Sequence, residues 1–495
     1  MTKLGPILVL LQRMLRGSRS CATKLVLTVV AASFAVASMP GTPALADPAS
    51  NEVQQWLEEV SASGVPAIAV VVTRGDSVEL ATGAGTVDGN PVNEHTQFRI
   101  ESLSKSFTSA AVLQLVERGS IDMDAPVVQY LSAFRMDDGR ADSITVRQLL
   151  NQSSGISDMS LGFDQYKAGP QSPSDAGALL AESRLAFDPG TDWAYSNANY
   201  WMLAWLVEEV SGMDFEAYIQ QEILEPLGMY ETSIAPTADQ VPGVSGHAPV
   251  FGEVIQVKGP DALVTGAGGM ASTAHDMGIW LRFQHGVLPD SDAVLSQRSK
   301  DEMHRRQAPD NGLYALGWYS GPPADGGVQR VSHSGVGAGT SAYQGLFPDG
   351  VGIAVLQSRS TPEAYEVASH LYQGWSTGEL GHPPVAPGPV RDIVVTGFVL
   401  AVLGLCGLGI ARSRRWASRA GRVRMAAALA TGTLVTVAIT MIPWLGSLLM
   451  GRSATWPVLY AVAPVPVLAL WVTAGGIGLL TATRAMRIYM KRRSS

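Results

Sequence analysis

The stretch FRIESLSKSFTSAAVLQLVERG (98–119) holds a serine and a lysine three residues apart, Ser102 and Lys105. Apolar residues recur at helical spacing behind them (Ala110, Ala111, Leu113, Leu115, Val116), which predicts a helix beginning near Ser102 with an apolar stripe turned to a core. Residues at i and i+3 share one helix face, so the Ser102 hydroxyl comes within reach of the Lys105 ammonium. Withdrawal from water disfavours the charged form of a lysine. A neutral amine can accept the serine proton and so activate a nucleophile without a histidine. A helix start also aims free backbone N–H groups at an attacked carbonyl. Alone, the S-x-x-K spacing is a weak signal, because a solvated lysine on a surface helix has the same pattern.

Two further stretches carry side chains suited to the same chemistry. DWAYSNANYWML (192–203) sets Tyr195 and Asn197 in a loop just ahead of a helix. A tyrosine hydroxyl beside a lysine can relay a proton from serine to a leaving group, and an asparagine amide can hold a substrate carbonyl. VSHSGVGAGTSA (331–342) sets His333, Ser334 and Gly335 at the end of an expected strand. Glycine there lets a ligand approach the strand backbone, whose N–H can complete an oxyanion hole. The blander readings are a packed tyrosine and a structural histidine. No two of the eight histidines have ligand spacing on a helix, so neither a metal site nor a cofactor is expected.

The elements that must position these residues follow from periodicity. NEVQQWLEEVSAS (51–63) reads as a helix, and PAIAVVVTRG and SVELATGAG as two strands joined by a Gly-Asp turn. From Ser102 to about 310 the pattern is mainly helical, including an amphipathic helix in NYWMLAWLVEEVSG (199–212). Beyond 310, LYALGWYSG, VQRVSHSG, SAYQGLFPDG and VGIAVLQSR read as successive antiparallel strands, before a last helix over about 362–376. Strands at both ends of a helical middle predict an α+β, mixed fold: one antiparallel sheet flanked by helices, with a helical lobe inserted.

Composition divides the chain further. Residues 1–46 contain five basic and no acidic side chains, with Arg13, Arg16, Arg19 and Lys24 ahead of the apolar run Leu25–Val36 and ALA at 44–46. This order predicts a secretory signal cut before Asp47; a retained N-terminal anchor is the alternative. Residues 392–495 contain three apolar spans, Ile393–Ile410, Met425–Met450 and Pro457–Thr481, each long enough for a bilayer core of about 30 Å. Arginines crowd the loop 412–424 and basic residues the tail 484–493, whereas the 451–456 loop has only Arg452. By the positive-inside rule both basic segments are cytoplasmic and residues 47–390 lie outside, on a multi-pass membrane protein. The spans contain no Asp, Glu, Lys, Arg or His, so anchoring in the lipid bilayer fits them better than transport. Residues 381–391, GHPPVAPGPVR, read as a stiff linker. The exported part, 47–390, has 17 basic against 42 acidic residues, a net −25 that excludes nucleic acid as a partner. Both cysteines, Cys21 and Cys406, lie outside it, so its stability rests on its core rather than on disulfides.

The order S-x-x-K, Y-x-N and H-x-G resembles the serine β-lactamase and penicillin-binding superfamily, in its class C-like branch. LLNQSSGI (149–156), FDPGTDWAYSNANYWMLAWLVEEVSG, EPLGMYETS, GAGGMASTAHDM and YALGW are similar to recurring segments of that family, over about 47–378. The resemblance implies a β-lactamase/transpeptidase-like fold over 47–380 and an acyl-enzyme mechanism. In it Ser102 is the nucleophile, Lys105 its base, Tyr195 the proton shuttle, and Asn197 and His333-Ser334-Gly335 contact substrate. The oxyanion hole is formed by the N–H groups of Ser102 and Val336. Where class C β-lactamases have K-T-G this chain has His333-Ser334-Gly335, which argues against efficient β-lactam hydrolysis. The layout of signal, hydrolase and three spans also resembles membrane-anchored prodrug peptidases that remove N-acyl-D-asparagine caps, as in colibactin maturation. A small-molecule or peptide substrate is expected, with amides next to D-residues favoured. An esterase, a D-alanyl-D-alanine carboxypeptidase, a weak β-lactamase and a non-turning penicillin sensor are the alternatives.

Overall fold

The computed structural model of the protein describes residues 50–493, apart from 159–171, 259–263, 310–311, 323–326, 361–362, 386–387 and 451–455. The expected signal lies outside the described residues. Helix α1 (Ser50–Ala62) buries Val53, Trp56, Leu57 and Val60, the i, i+3, i+4 stripe of an amphipathic helix. Strands β1 (Ala67–Arg74), β2 (Ser77–Val87) and β3 (Asn90–Pro91) follow. Helices α2 (Ser104–Glu117), α3 (Asn197–Ser211) and α4 (Ala274–Gln284) carry the middle of the domain. Strands β4 (Tyr319–Gly321), β5 (Arg330–Val336), β6 (Ser341–Leu346) and β7 (Val351–Gln357) and helix α5 (Ala364–Thr377) complete it.

The seven strands form one sheet in the order β3-β2-β1-β7-β6-β5-β4, every pair antiparallel. The N-terminal β1 pairs with the C-terminal β7 from Ile68↔Gln357 to Arg74↔Val351, so the two ends of the domain close a single sheet. Both faces are covered. Ile68, Val70 and Val72 pack with α1 and α5, whereas Ala67, Ala69 and Val71 point into the larger core with α2, α3 and α4, as a side-chain period of two requires.

Several elements differ from the sequence expectation. Helix α2 is not amphipathic: Ser104 through Leu115 are all buried. Its polar groups are satisfied internally, Thr108 Oγ1 donating to Gly266 O at 2.7 Å and Gln114 Nε2 to Val294 O at 2.7 Å, which is how a wholly interior helix carries serines and threonines. Helix α3 is likewise buried from Ala198 to Val207. Of the expected strand 313–321 only Tyr319–Gly321 is in the sheet. The preceding residues fold back, with Ala315 N donating to Trp318 O at 2.7 Å. The helical middle also contains a β-hairpin, Gly246–Val250 with Glu253–Val257. Its turn residues Phe251 and Gly252 both have positive φ (54° and 90°), the conformation two-residue hairpins favour. A small sheet joins Phe98–Arg99, Met270–Ser272 and Ser233–Ile234.

Three C-terminal helices are long and apolar enough to cross a membrane: α6 (Val390–Ala411), α7 (Arg422–Thr440) and α8 (Pro464–Arg493). Their mean hydropathies are 2.5, 1.6 and 1.8. The second expected span breaks after Thr440 into a separate helix, Ile442–Met450, and the third starts at Pro464 and runs past Thr481. Pro443 and Pro464 each stand in the first turn of the new helix, where a missing N–H costs nothing. Lys491 Nζ donates to Ala417 O at 3.0 Å, and the Arg484 guanidinium lies 4.8 Å from the Trp416 ring. The two basic segments therefore meet at one end of the helices.

Candidate active site

Ser102 stands on a 3-10 turn, Glu101–Leu103, that leads directly into α2. Side chains at i and i+3 eclipse in such a turn, and Lys105 Nζ reaches Ser102 Oγ at 3.0 Å. Lys105 is fully buried. Its Nζ also donates to Asn197 Oδ1 at 2.9 Å and to Ala267 O at 2.6 Å, so three acceptors surround the nitrogen. The residue before the serine, Glu101, has a φ of +50°, a left-handed conformation that costs a non-glycine residue of order 1 kcal/mol or more. Its carboxylate is held by the Thr340 hydroxyl at 2.8 Å.

Tyr195 comes to the serine from the loop ahead of α3, its hydroxyl donating to Ser102 Oγ at 3.0 Å. Gln152 brackets that loop: its carbonyl accepts from Ala194 N (3.0 Å) and its side-chain oxygen from Ser196 N (3.0 Å). Ser196 caps α3 by accepting from Ala198 N, which sets Asn197 in the first turn and aims its amide at Lys105. Ala267 precedes the small-sheet strand Met270–Ser272. The Gly266 before it has φ +75°, and a Cβ there would lie 2.3 Å from Tyr200 O, so only glycine lets this loop pass close enough to α3 to deliver the carbonyl.

The third stretch arrives on β5. Gly335 passes against the Ser102 turn so closely that a Cβ would lie 2.5 Å from Ile100 O and 2.9 Å from Glu101 Cβ. Arg330, Ser332, Ser334 and Val336 alternate along β5 and line a cleft of about 340 Å3 with Ser102, Tyr195, His333 and Tyr319. His333 is buried, and both ring nitrogens are engaged. Nδ1 lies 2.8 Å from Ser334 O and Nε2 3.0 Å from Tyr314 OH. A carbonyl can only accept, so Nδ1 carries the hydrogen and Nε2 accepts from the tyrosine. Burial holds the Tyr314 phenol well above its ordinary pKa, so it stays a donor.

The fold thus brings Ser102, Lys105, Tyr195, Asn197, His333, Ser334, Gly335 and Val336 to one place. Two of them also make contacts within the protein. Asn197 does not line the cleft and its oxygen is taken by Lys105, and His333 spends both nitrogens on protein groups. Sequence reasoning missed Tyr314, Tyr319, Arg330 and the Ala267 carbonyl. The period of two along β5 would have found Arg330, which shares a face with Ser334 and Val336. Its guanidinium lies 4.7 Å from the Tyr365 ring. Outside the residues that line the cleft, the side chains of His95, Glu231 and His275 converge, with one donor atom of each within 4.8 Å of the others.

Comparison with known proteins gives the family. The family model described as Beta-lactamase matches residues 53–373. The chain is 25% identical over 334 residues to "Protein flp" of Staphylococcus aureus (strain N315), covering 65% of this chain and 66% of that protein. It is 27% identical to the "Putative penicillin-binding protein PbpX" of Bacillus subtilis, covering 66% and 78% respectively. Among solved structures, an octameric penicillin-binding protein homologue from Pyrococcus abyssi superposes with a TM-score of 0.56 at 24% identity, over 70% of this chain and 81% of that one. A D-stereospecific amidohydrolase from Streptomyces sp. gives 0.53 at 25% identity, over 67% and 99%. A model match over that length, on a fold these structures share, leaves one conclusion: the chain belongs to the beta-lactamase family of serine hydrolases.

Proposed function

We propose that this protein is a membrane-anchored hydrolase that works outside the cytoplasm through an acyl-enzyme on Ser102, cleaving amides next to D-residues. The observation that carries the reading is the environment of Lys105 Nζ. Burial disfavours the ammonium, and Asn197 Oδ1 and Ala267 O can take the two N–H bonds of a neutral amine. The lone pair is then left for the Ser102 proton. Ser102 Oγ attacks the substrate carbonyl carbon as its proton passes to Lys105, and the new oxyanion lies between the N–H groups of Ser102 and Val336. Collapse breaks the C–N bond, and Tyr195 hands the proton on to the departing amine. Water, deprotonated through Tyr195 and Lys105, then cleaves the ester and returns the proton to Ser102. The preference for D-residues draws support from the similarity to the D-stereospecific amidohydrolase.

The test uses the detergent-solubilised full chain. A fluorescent fluorophosphonate or penicillin should acylate it, peptide mapping should put the adduct on Ser102, and Ser102→Ala should not label. Labelling of Ser102→Ala at the wild-type rate would overturn the nucleophile. A panel of D-amino amides, their L-enantiomers, simple esters and a chromogenic cephalosporin then separates the activities. Turnover of D-amides above the rest is expected, and equal turnover of L- and D-amides would remove the stereochemical part of the reading.

A further inference from the structure

Three short strands make the small sheet, and each is flanked by one side chain of the same cluster. His95 precedes Phe98–Arg99, Glu231 precedes Ser233–Ile234, and His275 follows Met270–Ser272. His95 Nδ1 lies 2.9 and 3.0 Å from the two Glu231 carboxylate oxygens. His275 Nδ1 lies 3.8 Å from Glu231 Oε2 and 3.0 Å from Asp276 Oδ1. The two imidazole rings stand 5.2 Å apart, and all three groups reach solvent.

From this arrangement we propose that His95, Glu231 and His275 bind a Zn2+ ion, which braces the small sheet beneath the active site. Tetrahedral zinc with bonds of about 2.0–2.1 Å sets its donors about 3.3 Å apart, and one donor atom of each group already lies within 4.8 Å of the others. Two imidazole nitrogens and one carboxylate oxygen are a donor set suited to zinc, and three protein ligands leave a fourth position to water. The groups behind the ligands are in place. Thr273 Oγ1 donates to Glu231 Oε2 at 3.1 Å. The buried Asp276 carboxylate, fixed by Glu231 N (2.9 Å) and Thr232 Oγ1 (2.8 Å), lies 3.0 Å from His275 Nδ1; with Nδ1 held there, Nε2 is the nitrogen that would take the metal, and such partners orient metal-bound imidazoles. Glu94 adds a carboxylate 3.7 Å from His95 Nε2, so the cluster gathers three carboxylates whose charge a divalent cation offsets. The site is distant in sequence but close to the chemistry in connectivity. Phe98–Arg99 leads into Glu101 and Ser102, and Met270–Ser272 follows the loop that offers Ala267 O to Lys105. Nothing in this proposal depends on the proposed reaction.

The experiment titrates ZnCl2 into untagged, EDTA-stripped full-length protein in detergent, by calorimetry and by thermal melting. One ion per chain should bind, with an apparent Tm that rises with free zinc. Glu231→Gln keeps an acceptor for His95 but is a poor ligand, and it should bind zinc at least tenfold more weakly with an unchanged metal-free Tm. His95→Gln with His275→Gln should abolish the tight phase. Absence of saturable zinc binding by the wild type in the micromolar range overturns the proposal. So does unchanged affinity in the Glu231→Gln or double-histidine variant.

Discussion

Arginine in place of Lys105 retains a positive charge and reach but cannot shed its proton at accessible pH. Asn197 Oδ1 and Ala267 O at 2.9 and 2.6 Å from Nζ suit the two N–H bonds of a neutral amine, a state a guanidinium does not reach. Lys105→Arg should therefore acylate about 10²–10⁴-fold more slowly, measured as the burst rate with a chromogenic D-amino ester; a wild-type burst would return the lysine to a structural role. Tyr195→Phe removes one hydroxyl 3.0 Å from Ser102 Oγ. It should still acylate but accumulate acyl-enzyme visible by intact mass, whereas unchanged steady-state turnover would take tyrosine out of the water step. Gly335→Ala tests the close approach of β5 to the serine. The added carbon meets Ile100 O at 2.5 Å, so the strand or the Ser102 turn must move. Acylation should fall about 10²-fold, the usual effect of misplacing a reacting group by 1 Å, with the circular dichroism spectrum unchanged.

Helix α3 delivers Asn197 at its first turn and carries Glu208 near its other end. Burial, with Glu216, Asp214 and Glu209 nearby, pushes the Glu208 carboxyl up to about 7, against the opposing hydrogen bond from Phe215 N at 3.2 Å. Its folded pKa is above the unfolded value of 4.5, so the folded form holds a proton that the unfolded chain releases. The stability this supplies is complete below about pH 4.5 and is lost as pH rises through 7. Glu208→Gln keeps the acceptor for Phe215 N and removes the charge. It should melt with the wild type near pH 4 and be more stable at pH 8 by about 1 kcal/mol, allowing for partial solvent screening. Melting curves at the two pH values check this, and a gap that does not widen with pH counts against it. His304 has the opposite slope. Half-buried against Trp318 with Nε2 2.9 Å from Gln284 Oε1, its pKa is lowered to about 3 by desolvation, so the stability it adds above pH 6.5 drains away as pH falls toward 3.

At the scale of the whole molecule, the hydrolase domain and the helices meet at the hairpin Gly246–Val250/Glu253–Val257. Phe251 N in the hairpin turn donates to the buried Asp392 carboxylate at 2.9 Å, at the start of α6. The basic segments 412–424 and 484–493 come together near Trp416, away from that end. The charge pattern then expects Ser102 and the cleft outside the cell and Trp416 inside. In a background without Cys21 and Cys406, a cysteine at the exposed Asp76 should react with a membrane-impermeant maleimide on intact cells. One at the exposed Ser418 should react only after lysis. Reaction of both in unbroken cells would overturn this orientation.

Much of this was legible in the sequence because it depends on local spacing. The i, i+3 pair Ser102 and Lys105, the alternation in β1 and β7, and the three apolar C-terminal stretches are each set within about twenty residues, where backbone geometry converts spacing directly into position. Even the closure of one sheet by both ends of the domain follows from where strand patterns occur. Residues that face each other through the fold had no such signal. Helix α2 looked amphipathic because its polar residues are small and hydroxylated; whether they meet water or the Gly266 carbonyl depends on a loop 158 residues away. Gly335 read as room for a ligand, yet the Ser102 turn occupies that space. Asn197 read as a substrate contact; that its oxygen also meets Lys105 depends on where Ser196 starts the helix. His95, Glu231 and His275 carry no spacing rule at all, being joined by a small sheet whose strands come from three distant parts of the chain. Local periodicity specifies elements and the faces they present; which distant side chains share a face is decided by packing, and only the tertiary structure expresses that.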